Sequence, residues 1–352
     1  MLLARAPVRI SLAGGGTDLP AYYERFGGLV VSVAINKYFY VFLTPSAGDD
    51  VHIASSDFSA FSRWSREEEP AWDGLLRLPH AVLRELGQQG GFSIFLASEI
   101  PPGTGLGSSS TVAVALIKAI STYVGQRLSP AEVAERAARI EIKKLGSPIG
   151  KQDQYAAAFG GLNTLTFEPD RVCVEPLSLS LDVLLELESR LLLFYTGASR
   201  SANTILHEQQ QATAGEEGRV LGALHEIKAF AAETKAVLER GDLDRLGEIL
   251  HESWQAKRQL ARSVTNEHID DIYDHARQHG ATGGKIAGAG GGGFLLLYCE
   301  RRFQPALRCA LQARGLHAMD FGFDSGGAKV LLNSSTGQAA AAGRANALEE
   351  AA

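Results

Sequence analysis

With 352 residues, 45% hydrophobic content and a net charge of −6, the chain can bury more than one core and more readily forms two domains than one. The acidic balance gives no sign of nucleic-acid binding, which usually needs a basic stripe, and no long uncharged apolar run is present to cross a membrane. The opening MLLARAPVRISLAGGG lacks the apolar stretch of a secretory signal, which makes a cytoplasmic protein the expectation.

In chain order, VRISLAG places Val8, Ile10 and Leu12 on one face and Arg9 and Ser11 on the other, a strand that leads into the turn GGGTD. Extended segments follow at LVVSVAI, YFYVFL and VHIAS, then a helix near 72–86 and a strand at FSIFLAS. Residues 101–118 read PPGTGLGSSSTVAVALIK, a glycine-rich loop running into a helix on which Ala113, Leu116, Ile117, Ile120 and Val124 keep helical spacing. Such a junction attracts anions, because free N–H groups point outward and the helix dipole favours negative charge. The serines are the expected N-cap, and on this stretch alone an ordinary capped helix fits as well as a phosphate site.

Gly125 ends that helix, and Ser129-Pro-Ala-Glu132 is a capping box opening a second one that runs to about Leu145. GSPIGKQDQYAAAFGGLNTLTF then gives a turn, a short helix stopped by Gly160 and Gly161, and a strand. A domain boundary is expected in the polar stretch Glu168 to Pro176, which divides the chain into 1–168, 176–335 and a biased tail at 337–352. The second half opens with LLLFYTG, is mostly helical from Ala202 to His279, and continues through GGKIAGAGGGG, the strand FLLLYC, a helix near 303–314 and a closing strand AKVLLN. The class is α+β. Cys173, Cys299 and Cys309 lack metal-ligand spacing and sit in apolar contexts, so buried free thiols are expected.

No GxxxxGK[ST] is present, and the GxGxxG at Gly288, Gly290 and Gly293 runs into a strand-like segment where a dinucleotide site needs a helix. Four other segments stand together: APVRISLAGGGTD at 6–18, PPGTGLGSSS at 101–110, GKQDQ at 150–154 and KIAGAGGGG at 285–293. In this order and at these separations they resemble the GHMP kinases, and LAGGGTDLP with GKQDQYAAAFGG resembles the heptose 7-phosphate kinases within that superfamily, with fucokinase domains as near relatives. Galactokinases carry a Glu-His pair where this chain has Gly15 and Gly16, a departure that argues against galactose.

The resemblance implies a two-domain GHMP kinase-like fold, an N-terminal half like the second domain of ribosomal protein S5 and a ferredoxin-like α/β sandwich after it. It implies ATP and Mg²⁺, a small-molecule sugar phosphate as partner, and transfer to the anomeric hydroxyl of a heptose 7-phosphate for nucleotide-activated heptose and surface polysaccharide. The alternatives are a fucokinase-like or other sugar 1-kinase, and a non-catalytic sugar and nucleotide sensor on the same fold. ATP falls to Pro102, Gly103, Thr104, Gly105, Leu106, Gly107, Ser108, Ser109 and Ser110, with Ser109 and Glu141 as Mg²⁺ ligands. Glu141 lies twelve residues before Asp153 and continues the small-residue face of Ala134, Ala137 and Ala138. Asp153 matches the carboxylate beside the acceptor hydroxyl, and Arg9 a basic residue that pairs with it. Gly15, Gly16, Thr17 and Asp18 would hold the sugar, with Gln152, Gly290 and Gly291 beside them. Lys151 and Arg200 are the cations expected to meet a substrate phosphate.

Overall fold

The first strand, β1 (Leu2–Ala13), is buried along nearly its whole length, Arg9 and Ser11 included. The computed structural model describes residues 1–46, 48–57, 59–64, 74–88, 91–197, 202–215 and 217–334, so Arg200 and the 337–352 tail lie outside the described residues. After β1 come α1 (Pro20–Phe26), β2 (Gly28–Pro45), β3 (Val51–Ser55), β4 (Ala60–Trp64), α2 (Arg77–Glu85), β5 (Phe92–Ser98) and α3 (Ser108–Tyr123). Next are α4 (Pro130–Ala138), a π-helical turn Arg139–Lys144, α5 (Gln152–Phe159), β6 (Leu162–Phe167) and β7 (Val172–Pro176). The remainder runs through α6 (Leu181–Arg190), β8 (Leu191–Tyr195), α7 (Ala202–Ala214), α8 (Gly218–Arg240), α9 (Leu243–Lys257) and α10 (Glu267–Gln278). It ends with β9 (Ala281–Ile286), β10 (Phe294–Cys299), α11 (Gln304–Gln312), β11 (His317–Met319) and β12 (Lys329–Asn333).

The first sheet has the order β12-β1-β2-β5-β3-β4, with β6 on β2 and β7 on β6; of its pairings only β3 with β5 is parallel. LVVSVAI and YFYVFL form one strand, long enough to serve two partners: Gly28–Val33 pairs with β6 and Phe39–Pro45 with β5. β1 is interior to this sheet, flanked by β2 and β12, which is why its polar positions are buried where a one-faced strand would expose them. Its register on β2 shifts between Pro7 and Val8. That bulge passes even-numbered side chains from one core to the next: Leu2, Ala4 and Ala6 pack with α3 and α4, whereas Val8, Ile10 and Leu12 pack with β8, β10 and α9. The second sheet, β11-β8-β10-β9, is antiparallel, and its other face packs α10 and α11.

Several expectations need correction. The stretch at 168–176 holds β7, which pairs with β6, so the first sheet continues to Pro176. The closing strand joins the first sheet rather than the second, because β12 pairs with β1. Asp324 fastens this return: its Oδ2 accepts from the Tyr38 hydroxyl at 2.9 Å and its Oδ1 from the N–H groups of Gly326 and Gly327. No serine caps α3; Gly107 occupies the N-cap position in a left-handed conformation (φ +82°). The capping box of Ser129 and Glu132 is present, but α4 gives way at Arg139 to the π-helical turn. Cys299 is buried, Cys173 half-buried and Cys309 exposed. Among the described residues no helix is long and apolar enough to cross a membrane.

Candidate active site

The glycine loop before α3, the turn after β1, the start of α5 and the 287–292 segment before β10 line one cleft. Arg9 sits at its seam. β1 carries the guanidinium inward, where Nε donates to Asp153 Oδ1 at 2.7 Å and Nη1 to the Gly105 carbonyl at 2.7 Å. One buried cation therefore ties the carboxylate on α5 to the loop at the head of α3. Gly107 lies close to the same carboxylate, since a Cβ there would come within 3.1 Å of Asp153 Oδ2.

The turn GGGTD closes on Asp18, whose Oδ1 accepts from Gly16 N at 3.0 Å and Gln152 Nε2 at 3.1 Å, and whose Oδ2 accepts from Gln152 N at 3.2 Å. Burial, then the nearby Asp153 charge, raises the Asp18 carboxyl above its ordinary pKa, while the backbone donors oppose the rise. Gly150 is required there: a Cβ would sit 1.9 Å from Asp18 Oδ2. Ser11 Oγ and Gln152 Oε1, both on this side of the cleft, have no hydrogen-bond partner among the described residues.

Glu141 stands on the π-helical turn with 2% exposure, and burial pushes its carboxyl up to about 7. Ser109 Oγ donates to its Oε1 at 2.9 Å and Gln154 Nε2 to its Oε2 at 2.6 Å. Gln154 also donates to Ser110 Oγ at 2.9 Å. Ser108 Oγ, also in the lining, is buried without a partner. A hydroxyl beside a desolvated carboxylate is a donor set suited to a hard divalent cation that keeps most of its waters, so these residues fit Mg²⁺.

Other expected positions lie elsewhere. Thr17 is fully buried and its hydroxyl serves the backbone of Gly14 and Leu29. Thr104 Oγ1 donates to Pro101 O, Leu106 is buried with its carbonyl accepting from Arg9 N, and Pro102 is exposed outside the lining. Gly291 donates to Val264 O beside the cleft, whereas Gly290 lines it. Lys151 turns away: its Nζ meets both oxygens of Glu135 at 3.1 Å. The glycines of 288–293 serve mainly to bring backbones together: Gly288 and Gly105 meet backbone to backbone, a Cβ on Gly288 (φ +65°) falling 2.6 Å from Gly105 Cα.

Sequence reasoning missed two lining lysines. Lys257, in the last turn of α9, donates to the carbonyls of Ile286 and Gly288, and Lys285 on β9 donates to Leu12 O at 3.0 Å. Lys285 heads the quoted KIAGAGGGG, but Lys257 belongs to no motif, and only the packing of α9 against β9 brings it in.

The pattern of the GHMP kinases N terminal domain matches residues 75–161 and that of the GHMP kinases C terminal matches 234–315. The chain is 34% identical to a D-glycero-alpha-D-manno-heptose 7-phosphate kinase of Campylobacter jejuni, over 92% of this chain and 97% of that protein. It belongs to the GHMP kinases. The solved structure of a D-glycero-D-manno-heptose 1-phosphate kinase from Bacteriodes thetaiotaomicron superposes with a TM-score of 0.80 at 31% identity, over 95% of this chain and all of that one. An L-fucokinase/L-fucose-1-P guanylyltransferase of Bacteroides fragilis is 28% identical over 84% of this chain but only 34% of its own length. This GHMP kinase is an ATP-dependent sugar kinase, and its two-sheet fold is that of its solved relatives.

Proposed function

We propose that this GHMP kinase transfers the γ-phosphoryl of ATP to the anomeric hydroxyl of D-glycero-D-manno-heptose 7-phosphate, giving the 1,7-bisphosphate for nucleotide-activated heptose and surface polysaccharide. The observation that carries the reading is the position of Asp153, tied through Arg9 to the glycine loop on one side and facing the buried Asp18 turn on the other. A group transferred between the two regions passes this carboxylate. The relative that shares a third of its sequence supports the heptose assignment.

The loop Gly103, Gly105, Gly107 and Ser108 presents N–H groups to the triphosphate at the head of α3. Ser109 and Glu141 are the residues that would hold Mg²⁺, which would supply positive charge to neutralise the phosphates. Asp18, with Gly15, Gly16 and Gln152 about it, orients sugar hydroxyls. Asp153 accepts the proton of the anomeric hydroxyl as its oxygen bonds to the γ-phosphorus and the bond to the β,γ-bridging oxygen breaks, releasing ADP. Arg9 screens the charge that moves along this line.

The fucokinase match favours one other reading, a kinase of an unphosphorylated sugar at the same position. ADP release measured over a panel of heptose 7-phosphate, heptose 1-phosphate, unphosphorylated heptose and L-fucose separates them. The heptose assignment predicts highest kcat/KM on the 7-phosphate; equal or better use of a neutral sugar overturns it.

A further inference from the structure

Lys257 and Lys285 are 9% and 5% exposed, line the cleft, and have no carboxylate within 4 Å among the described residues. Among the described residues their ammonium groups meet main-chain carbonyls alone: Lys257 those of Ile286 and Gly288, Lys285 that of Leu12. A buried ammonium is normally paired, because desolvation of the charge is not repaid by carbonyl dipoles alone. Four further polar atoms of the cleft wall are buried without partners among the described residues, the donor-capable Ser11 Oγ, Ser108 Oγ and Gln209 Nε2 and the acceptor Gln152 Oε1. Ser11 and Gln209 can donate, so the wall holds unspent donors and two cations with no anion among the described residues to meet them.

We propose that Lys257 and Lys285, assisted by Ser11 and Gln209, form a subsite for a phosphate dianion in the cleft. The lining is suited to that chemistry: two ammonium groups from different elements, with neutral donors in the same cleft wall, match an ion of several oxygens better than they match sugar hydroxyls. Burial depresses both lysines, joined for Lys257 by the Arg9 charge, which brings it to about 7, and for Lys285 by the charges of Lys257 and then Arg9, a cost that a bound dianion reverses. The dianion has two sources, a phosphate that the sugar already carries or the phosphoryl in transit from the nucleotide. The first source deepens, and rests on, the heptose 7-phosphate reading; the subsite itself does not.

The test is titration of the full chain with inorganic phosphate in the presence of saturating MgADP, wild type against Lys257→Met, Lys285→Met and the double variant, with folding checked by circular dichroism. Methionine keeps the volume and removes the charge, and the single variants carry the test if the double variant does not fold. Phosphate affinity is expected to fall about tenfold for each lysine removed. Kinetics then distinguish the sources. A rise in KM for the sugar phosphate, with KM for the unphosphorylated sugar unchanged, identifies the substrate's phosphate. A fall in kcat with both acceptors identifies the phosphoryl in transit. Wild-type phosphate affinity in all three variants overturns the subsite. Wild-type enzyme that binds phosphate through these lysines yet turns over no heptose refutes the heptose assignment alone.

Discussion

Among the described residues Asp153 is ion-paired with Arg9 alone, and the consequence for function is specific. Asp153→Asn keeps the shape and removes the basic oxygen, so turnover should fall by about a hundredfold or more while a nonhydrolysable ATP analogue binds nearly as before. Near wild-type turnover in the purified variant would return Asp153 to a structural role. Ser109→Ala and Glu141→Gln each remove an oxygen ligand or its charge, and both should raise the Mg²⁺ concentration for half-maximal rate; superimposable magnesium titrations would refute that assignment. Lys257 links pH to stability. Its pKa of about 7 in the folded chain lies below the ordinary 10.5, so between those values the unfolded chain holds a proton that the folded chain has released. Unfolding free energy from this group therefore rises with pH across that window, and below it the folded chain bears the full cost of burying the charge. In phosphate-free buffer, Lys257→Met should gain roughly 3 kcal/mol over wild type near pH 6 and lose most of that advantage toward pH 10. A urea-unfolding difference that does not vary with pH contradicts the account.

At the scale of elements, the site is a meeting of segment ends: the loop before α3, the turn after β1, the start of α5 and the segment before β10. Their contact is backbone on backbone, as Gly105 against Gly288 shows. Gly288→Ala adds a methyl at a left-handed φ and within 2.6 Å of Gly105 Cα, so the seam must part. A loss of about 2 kcal/mol or more in stability is expected, with a larger loss of kcat/KM than of fold, read by thermal melting beside the kinetics. An unchanged melting temperature would show that the seam is slack. The loop, its helix and the capping box at Ser129 were legible in the sequence because each is local chemistry. The π-helical turn that delivers Glu141 was not, since a single widened turn leaves the helical spacing of Ala134, Ala137 and Ala138 unaltered up to that point. The N-cap was misread for a related reason: three serines offered side-chain caps, but Gly107 supplies the left-handed turn that brings the loop against Asp153. α1, β4 and α6 carried no cue strong enough to be expected.

For the whole molecule, the α+β class followed from the order of strand and helix segments, and the resemblance of four short motifs anticipated the family. What the sequence did not contain was long-range pairing. β12 is a plain strand pattern whose partner, β1, lies at the other end of the chain, and β7 is only five residues, VCVEP, too short beside the polar Glu168–Arg171 to be told from a linker. Lys257 and Lys285 escaped notice in the same way, as they become neighbours of the cleft only when α9 lies on β9. This closure makes one active site from both sheets, and the central claim about that site is the atom it phosphorylates. Phosphorus-31 NMR of a reaction holding ATP, Mg²⁺ and D-glycero-D-manno-heptose 7-phosphate tests it directly. The account predicts a new sugar phosphate resonance coupled to the anomeric proton, growing as ATP is consumed, with the 7-phosphate resonance retained. A new phosphate coupled to any other sugar proton, or no ATP consumption with this sugar while a neutral sugar is phosphorylated, contradicts it.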